Sequence, residues 1–158
     1  MTIRRFLQED AEIVSNIIRR NFLEININDY SKEEMEKLAI SYDADKVLQV
    51  AGSSHMYVAC DENNKPIASG AIASFWSKPD ESILLTIFVL PEWHGHGIGR
   101  SIIEALEKDD LFLQAKRIEI PASITACNFY RKMGYDFKDG IKQLDDENLY
   151  RMEKFRSC

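Results

Sequence analysis

The segment at residues 89–101, which reads VLPEWHGHGIGRS, restricts the fold more than any other part of the sequence. An apolar run over residues 83–90 precedes it, and three glycines follow at alternate positions, Gly95, Gly97 and Gly99. Apolar residues then recur at spacings of three and four, the pattern of one buried helix face: Ile98, Ile102, Ala105 and Leu106. The segment therefore predicts a strand, a glycine-rich loop and a helix in direct succession.

A join of this kind predicts phosphate binding. Glycine allows positive φ and lets a ligand approach the backbone without a Cβ in the way. The unpaired N–H groups of the first helical turn, at the positive end of the helix dipole, attract anions. Arg100 adds a formal positive charge at the same place. We predict a phosphate-binding loop, and specifically one for a pyrophosphate.

Two nucleotide-binding patterns are alternatives. The nucleoside-triphosphate loop reads G-x-x-x-x-G-K-[ST], whereas here its first glycine would fall at His94 and its lysine is replaced by Arg100. The dinucleotide loop reads G-x-G-x-x-G, whereas the spacing here is G-x-G-x-G, although Glu119 lies about twenty residues on, where a ribose-binding acid is expected. Both alternatives match the residues only in part.

The residues from His94 to Gly99 resemble the [Q/R]-x-x-G-x-[G/A] loop of the GNAT superfamily of acetyl-coenzyme A-dependent N-acetyltransferases. Both glycine positions match, while His94 stands where the family has Gln or Arg. Val89 and Pro91 before the loop, and IGRSIIEALE after it, are also similar to the family. A second segment, ACNFYRKMGY at residues 126–135, resembles the family's A-x-x-F-Y-x-K-x-G-F. The resemblance covers residues 84–137 well and the remainder by length and element order.

The resemblance implies a site for acetyl-coenzyme A as co-substrate. It assigns the protonation of the leaving thiolate to Tyr130, since a phenol stays protonated at neutral pH. It also assigns the thioester carbonyl to backbone N–H groups near Phe88 and Val89, where the central strand splays from its neighbour. The predicted coenzyme contacts are Phe88, Val89, His94, Gly95, His96, Gly97, Ile98, Gly99, Arg100, Ser101, Ser123, Asn128 and Tyr130. Ser123 stands where many family members have Asn.

No general base can be assigned from the sequence. Many relatives carry a carboxylate on the central strand, but its middle here reads LLTI at residues 84–87. Glu81, Glu119 and Glu24 are alternatives, acting directly or through a water, and ordinary solvated carboxylates are the more common role for such residues. His94 and His96 form an H-x-H pair without a nearby third ligand, so we expect no metal.

The order of elements predicts an α/β fold, with a mixed and mostly antiparallel central sheet flanked by helices, in a single domain over residues 1–158. Asp10 is the predicted N-cap of the first long helix, and Ser31 with Glu34 forms a capping box for the second. Ser123 is the predicted N-cap of the last helix and Gly134 its left-handed C-cap. Strands are predicted at residues 2–6, 56–60, 67–76, 83–90, 117–120, 135–138 and 149–155.

Charge and composition limit the kinds of binding partner and the cellular location that we expect for the protein. The net charge of −6 argues against general nucleic-acid binding and is compatible with a cationic acceptor. No stretch approaches the apolar length of a membrane helix, and the N-terminus lacks the apolar core of a secretory signal. We expect three reduced cysteines, Cys60, Cys127 and Cys158, and a cytoplasmic protein. Edge strands in the C-terminal hairpin make a homodimer reasonable.

These observations predict an N-acetyltransferase that moves an acetyl group directly to a primary amine of a small molecule or peptide. The acceptor pocket is expected between residues 22–42, Phe75, Trp76 and the last hairpin, with Asp29, Tyr30 and Trp76 as candidate contacts for a cationic amine. The alternative is a non-catalytic acyl-coenzyme A-binding or sensing module on the same fold. The missing strand carboxylate keeps that alternative open.

Overall fold

A computed structural model describes residues 1–75 and 78–156. The predicted roles of Trp76 and of Cys158 lie outside these residues. Six α-helices are described: α1 Ala11–Glu24, α2 Lys32–Ser41, α3 Ala44–Gly52, α4 Ile98–Leu106, α5 Asp110–Gln114 and α6 Cys127–Lys132. Seven strands are described: β1 Thr2–Arg5, β2 His55–Cys60, β3 Pro66–Phe75, β4 Lys78–Val89, β5 Arg117–Ala122, β6 Asp136–Phe137 and β7 Tyr150–Phe155.

The strands form one seven-stranded sheet in the order β1-β2-β3-β4-β5-β7-β6. Every neighbouring pair is antiparallel except β4 and β5, which are parallel because α4 and α5 connect them as a crossover. Helices cover both faces of the sheet. The predicted fold class, an α/β fold with a mixed and mostly antiparallel sheet, is confirmed.

Two apolar layers hold the helices to the sheet. On one face α4 buries Ile98, Ile102 and Leu106 against β3, β4 and β5, as the helical spacing predicts. On the other face α1 buries Val14, Ile18 and Phe22 against β2, β3 and β4, with Met35 and Ala39 of α2 beside them. Gly70 of β3 lets α4 approach closely, since a Cβ there would lie 2.5 Å from Ile102 Cγ2.

The helix ends correct some predictions and confirm others. Ser31 accepts a hydrogen bond from the N–H of Glu34, as the capping box predicts. Asp10 occupies the N-cap position of α1, as predicted, but its side chain makes no cap hydrogen bond, because the carboxylate instead accepts bonds from Arg4 and from the N–H of Leu7.

The two ends of α6 also differ in how well they were predicted. Gly134 has φ +97° and closes α6, with the N–H of Tyr135 donating to the carbonyl of Tyr130 in a Schellman pattern. Ser123 accepts from the N–H of Ala126 and so caps a turn that leads into α6, while the helix itself begins at Cys127. The predicted cap therefore acts one turn early.

The sheet parts in its centre. β4 and β5 pair only at residues 81–83 with 117–119, and beyond Ile83 and Glu119 the two strands have no ladder. We call the space beyond this point the strand gap. Just past its origin, β4 slips register against β3 between Ser69 and Ala71, and Thr86 takes a positive φ of 54°. A β-bulge of this kind bends a strand, and here it accompanies the divergence of β4 from β5.

Among the residues described, none of the helices combines the length and apolar character needed to span a bilayer.

Candidate functional site

The glycine loop, which we define as residues 94–99, joins the end of β4 to α4. Gly95 and Gly97 have φ of +81° and +77°, a region that side chains with a Cβ rarely adopt, so each is required for the turn. Gly99 serves a different purpose: a Cβ there would lie 3.2 Å from the ring of Phe129, so its absence lets α4 and α6 approach. Gly97 is the N-cap residue of α4 and Ile98 its first residue. The first-turn N–H groups therefore point out of the helix end, as an anion site requires.

The two histidines of the glycine loop are tied to backbone carbonyls. His94 Nε2 lies 2.8 Å from the carbonyl oxygen of Val89, which fixes the proton of that imidazole on Nε2. His96 Nδ1 lies 3.1 Å from the carbonyl oxygen of Trp93, and its ring packs edge-on against the Trp93 ring. Both side chains are exposed.

The end of β4 presents one residue to the strand gap. The N–H of Leu90 donates to the carbonyl of Ile67, so the next pair, Val89 with Ala68, is a non-hydrogen-bonded pair whose polar groups point away from β3. Phe88 then directs its N–H toward β3, and its ring packs against Phe22 at 5.5 Å. Of the two residues predicted to bind the thioester carbonyl, Val89 is the one whose backbone faces the gap.

Tyr130 lies on α6 beside the glycine loop. Its neighbour Phe129 contacts Gly99, and the two rings lie 5.5 Å apart. Tyr130 is 6% exposed, and this burial raises the pKa of its hydroxyl well above the usual range for tyrosine. The hydroxyl is therefore protonated at neutral pH and can donate a hydrogen bond or a proton.

The remaining predicted coenzyme residues surround the same loop. Arg100 is exposed on the first turn of α4, and Ser101 donates from its hydroxyl to the carbonyl of Gly97. Asn128 is exposed on α6. Ser123 is half-buried at the end of β5, across the gap from β4, and its oxygen already accepts from Ala126. The fold thus brings the two sequence motifs to the two sides of one gap.

The three carboxylates considered as general bases all form ion pairs. Glu119 is 1% exposed and is contacted by Arg117 at 2.6 Å and by Arg151 at 3.3 Å. Glu81 is paired with the same Arg117 at 2.8 Å. Glu24 is paired with Arg20, whose hydrogen bonds lower the pKa of Glu24. Their hydrogen-bonding capacity is directed to cations of the protein itself.

The connection between α1 and α2 reaches over the opposite side of the gap. The Tyr30 hydroxyl donates to the carbonyl of Asn148 at 2.7 Å and accepts from the N–H of Ile124 at 2.9 Å. Asp29 accepts from the Thr125 hydroxyl at 2.7 Å. These contacts surround a cavity of about 380 Å³ whose lining includes Asn28, Asp29, Tyr30, Ser31, Glu34, Ile124, Leu144 and Asn148. Burial raises the pKa of Tyr30.

Several residues of this region were missed from the sequence. Asn21, Thr125 and Asn148 join distant segments through hydrogen bonds, and nothing in their local sequence indicates such partners. Leu144 and Ile124 line the cavity from loops between strands and helices. The sequence does carry one hint for Asn21: it is a polar residue on the apolar face of α1, and a polar side chain buried in that way needs a hydrogen-bond partner.

Among the side chains placed in residues 1–75 and 78–156, no group of three or more His, Cys, Asp or Glu is arranged so that it could hold a metal ion. Cys60 and Cys127 are buried free thiols.

Comparisons with known proteins identify the family and the fold of the chain. The sequence profile of the acetyltransferase (GNAT) family matches residues 16–135. A GCN5-related N-acetyltransferase of Rhodopseudomonas palustris has 24% sequence identity and a TM-score of 0.79, with 98% of this chain and 95% of that chain covered. No curated protein sequence matches the chain.

Two further solved structures that the chain resembles contain coenzyme A. The PaiA N-acetyltransferase of Thermoplasma acidophilum is 19% identical, with 98% of each chain covered and a TM-score of 0.81. An aminoglycoside 6′-N-acetyltransferase is 14% identical, with 98% of this chain and 97% of that chain covered and a TM-score of 0.71. The match to the family profile extends over more than half of the chain, and this chain belongs to the GNAT acetyltransferase family.

Proposed function

We propose that the protein transfers an acetyl group from acetyl-coenzyme A directly to a primary amine of a small molecule or peptide. The observation that carries the proposal is the strand gap: it opens where β4 and β5 lose their ladder, the glycine loop follows β4, and α6, which carries Tyr130, packs on Gly99 of that loop through Phe129. A pyrophosphate fits the first-turn N–H groups of α4, with Arg100 beside them. The Val89 N–H faces the strand gap and can donate to the pantetheine arm of the coenzyme, which follows the pyrophosphate.

Acetyl-coenzyme A supplies the thioester, whose carbon–sulfur bond breaks as the amine nitrogen bonds to the acetyl carbon. Tyr130 donates its hydroxyl proton to the departing thiolate, a role that its buried, protonated state supports. The Val89 N–H donates to a carbonyl oxygen that gains negative charge. The proton lost by the amine passes to water, because the nearby carboxylates Glu81 and Glu119 are held by Arg117.

We propose that the acceptor binds in the cavity under the α1–α2 connection. Asp29 and Glu34 contribute two carboxylates to its lining, and Tyr30 contributes a ring, a combination that suits a cationic amine. Glu34→Gln is expected to raise the KM for the amine while leaving the affinity for acetyl-coenzyme A unchanged. If the KM is the same for cationic and neutral amines, the acceptor does not bind in this acidic cavity.

Calorimetric titration with acetyl-coenzyme A, with ATP and NAD as controls, is the first test. Binding of acetyl-coenzyme A alone supports the proposal and justifies a screen of amines by thiol release. Preference for ATP or NAD would return the loop to one of the two nucleotide alternatives.

Tyr130→Phe tests the acid. Loss of a general acid lowers kcat by about 10²- to 10⁴-fold. Tyr135→Phe is the matched control, because it removes a buried hydroxyl that donates to Glu107 at 2.9 Å, in the same segment. Equal kcat losses in the two variants would show that Tyr130 acts through packing alone.

The second candidate is a non-catalytic acyl-coenzyme A-binding module. The ion pairing of Glu24, Glu81 and Glu119 favours it, since no base is left ready beside the gap among these three. Tight binding of acetyl-coenzyme A without turnover on any amine would select this candidate. The cytoplasmic location and the homodimer predicted from the sequence stay predictions.

A further inference from the structure

The carbonyl of Val89 accepts two hydrogen bonds from two different parts of the fold. Asn21 Nδ2, on α1, donates to it at 2.8 Å, and His94 Nε2, on the glycine loop, donates at 2.8 Å. A carbonyl oxygen has two lone pairs, so both are used. Three elements, α1, the end of β4 and the glycine loop, therefore meet at one oxygen atom.

Asn21 is committed to this role by its surroundings. It is 4% exposed, and its Nδ2 also donates to the carbonyl of Ile17 at 2.9 Å. Both partners are carbonyl oxygens, which can only accept, so the amide must present its NH₂ group to them. A second tie between the same elements runs outside, where Arg20 contacts Glu92 at 2.9 Å.

We propose that Asn21 and His94 are positioning residues that hold the Val89 peptide and the glycine loop in the arrangement that binds the coenzyme. The inference rests on the proposed function. His94 thus acts on the protein backbone, and its ring is not a contact of the pyrophosphate. The Val89 carbonyl is saturated by the two side chains, which leaves the Val89 N–H as the group of this residue that is open to the coenzyme arm.

The physical benefit is preorganisation. The glycine loop contains two residues at positive φ and would otherwise sample many conformations, so fixing it before binding lowers the entropy lost when the pyrophosphate is bound. The position of His94 at the first residue of the loop motif matches this role. A glutamine there keeps an N–H donor of similar reach, whereas an alanine does not.

Titration calorimetry with coenzyme A tests the proposal in the full chain. Asn21→Leu and His94→Ala each remove one donor, and each is expected to weaken binding by about threefold to tenfold, the worth of one hydrogen bond. His94→Gln is expected to stay within about twofold of the wild-type protein. The double variant should lose less than the product of the two single losses, since both donors act on the same oxygen.

Ser15→Ala is the matched control for Asn21. Ser15 is also buried on α1 and donates to the carbonyl of Tyr42 at 2.7 Å, away from Val89. Its loss should lower the thermal midpoint without changing the affinity for coenzyme A. His94→Ala lies on an exposed loop and keeps the test open should Asn21→Leu fail to fold.

Titration at pH 6 and pH 8 distinguishes the proposed hold of Asn21 and His94 on the Val89 carbonyl, which we call the clamp, from a direct charge contact between His94 and the pyrophosphate. With a clamp, the wild-type protein and His94→Gln change in parallel, because both keep a donor at either pH; Glu92 and Arg20, the charged neighbours, are common to all variants. An imidazolium on the pyrophosphate would instead give tighter wild-type binding at pH 6, lost equally in His94→Gln and His94→Ala, and would overturn the proposal. So would an Asn21→Leu affinity equal to that of Ser15→Ala.

A readout on the free protein keeps this inference distinct from the proposed function. Nitrogen-15 NMR of the free protein should show the His94 proton on Nε2, slow to exchange with water because it is hydrogen-bonded, and Asn21→Leu should speed that exchange by loosening the Val89 peptide. A wild-type protein that shows this tautomer but does not bind coenzyme A contradicts the proposed function alone. A His94 proton on Nδ1 contradicts the clamp.

Discussion

The two halves of the sheet are stabilised in different ways. β1 to β4 are covered by α1 and α4, and the residues facing those helices are apolar, from Val58 and Ala68 to Leu84. Where β5 and β7 meet the start of β4, one face carries a half-buried ion cluster in which Arg117 contacts Glu81, Glu119 and Glu153 at 2.6 to 2.8 Å. The comparison shows where charges replace packing: at the short joint between β4 and β5, before the gap opens.

Arg117 bridges three strands at that joint, so its removal should have the largest effect. Arg117→Met leaves three carboxylates without their shared cation, one of them on Glu119 at 1% exposure. We expect a loss of about 3–5 kcal/mol in the free energy of unfolding, measured by urea titration.

Lys37→Met is the control for Arg117→Met. It removes an exposed ion pair with Glu33, and its effect should stay within about 0.5 kcal/mol. Similar losses in the two variants would mean that the ion cluster is no more than a surface feature.

Gly70→Ala tests the packed half of the sheet. The new Cβ would lie 2.5 Å from Ile102 Cγ2 and 3.2 Å from Leu106 Cδ1, so α4 must move away from β3. Overpacking of this kind costs about 1–3 kcal/mol, again measured by urea titration. Gly52→Ala, where nothing lies within 4 Å, should be close to neutral; an equal cost at both positions would implicate backbone freedom instead of packing.

Asp109 sharpens the comparison because it is a buried charge in the packed half. Burial alone would raise the pKa of Asp109, but hydrogen bonds from Tyr57, the Leu111 N–H and His55 lower it below its usual value. A carboxyl whose pKa is lowered in the folded state stabilises the protein above its unfolded pKa and loses that contribution as the pH falls through the folded pKa.

Asp109→Asn should therefore cost about 1–2 kcal/mol near neutral pH, and the difference from wild type should shrink below about pH 4. Unfolding in urea across a pH series measures both. Tyr57→Phe removes the 2.6 Å hydrogen bond and should move the acid loss to higher pH. A pH-independent difference for Asp109→Asn would contradict the role of its charge.

Thr86 lies between the two halves and should give the smallest effect, of opposite sign. It combines φ of 54° with a buried hydroxyl oxygen that has no hydrogen-bond partner. Thr86→Gly relieves both and should raise the free energy of unfolding by about 1 kcal/mol. Asn64→Gly, at φ 60° in an exposed turn, should gain less because asparagine tolerates this region. If Thr86→Gly destabilises the protein, the packing of the Thr86 side chain contributes more free energy than its backbone strain costs.

The elements with strong periodicity or specific turn chemistry were predictable from the sequence. The α4 face, the Ser31 cap and the Gly134 C-cap each depend on residues within a few positions of one another. α5 was missed because its five residues are too short for a periodic pattern, although its N-cap, Asp109, accepts a local hydrogen bond from the N–H of Leu111. Asp10 stands at the predicted N-cap position, but its side chain does not cap the helix because Arg4, on a separate strand, binds its carboxylate.

The features of the candidate site can be separated in the same way, into those that local sequence predicts and those that depend on contacts between distant segments. The loop motif and the Tyr130 motif are local, so the sequence indicated both. The partners of Glu119, Asn21 and His94 are set by strand register and helix docking, which bring together residues far apart in the chain. The sequence alone left Glu119 open as a base, whereas the fold surrounds it with cations.

The short pairing between β4 and β5 also determines which strands of the sheet unfold locally before the others. Because these strands pair over residues 81–83 and 117–119 alone, β5 and β7 can separate from β4 without breaking the ladders among β1 to β4. Amide hydrogens of one sheet should then fall into two exchange classes, with β5 and β7 exchanging together and sooner than β2 and β3. The boundary between slow and fast exchange would run along the strand gap itself.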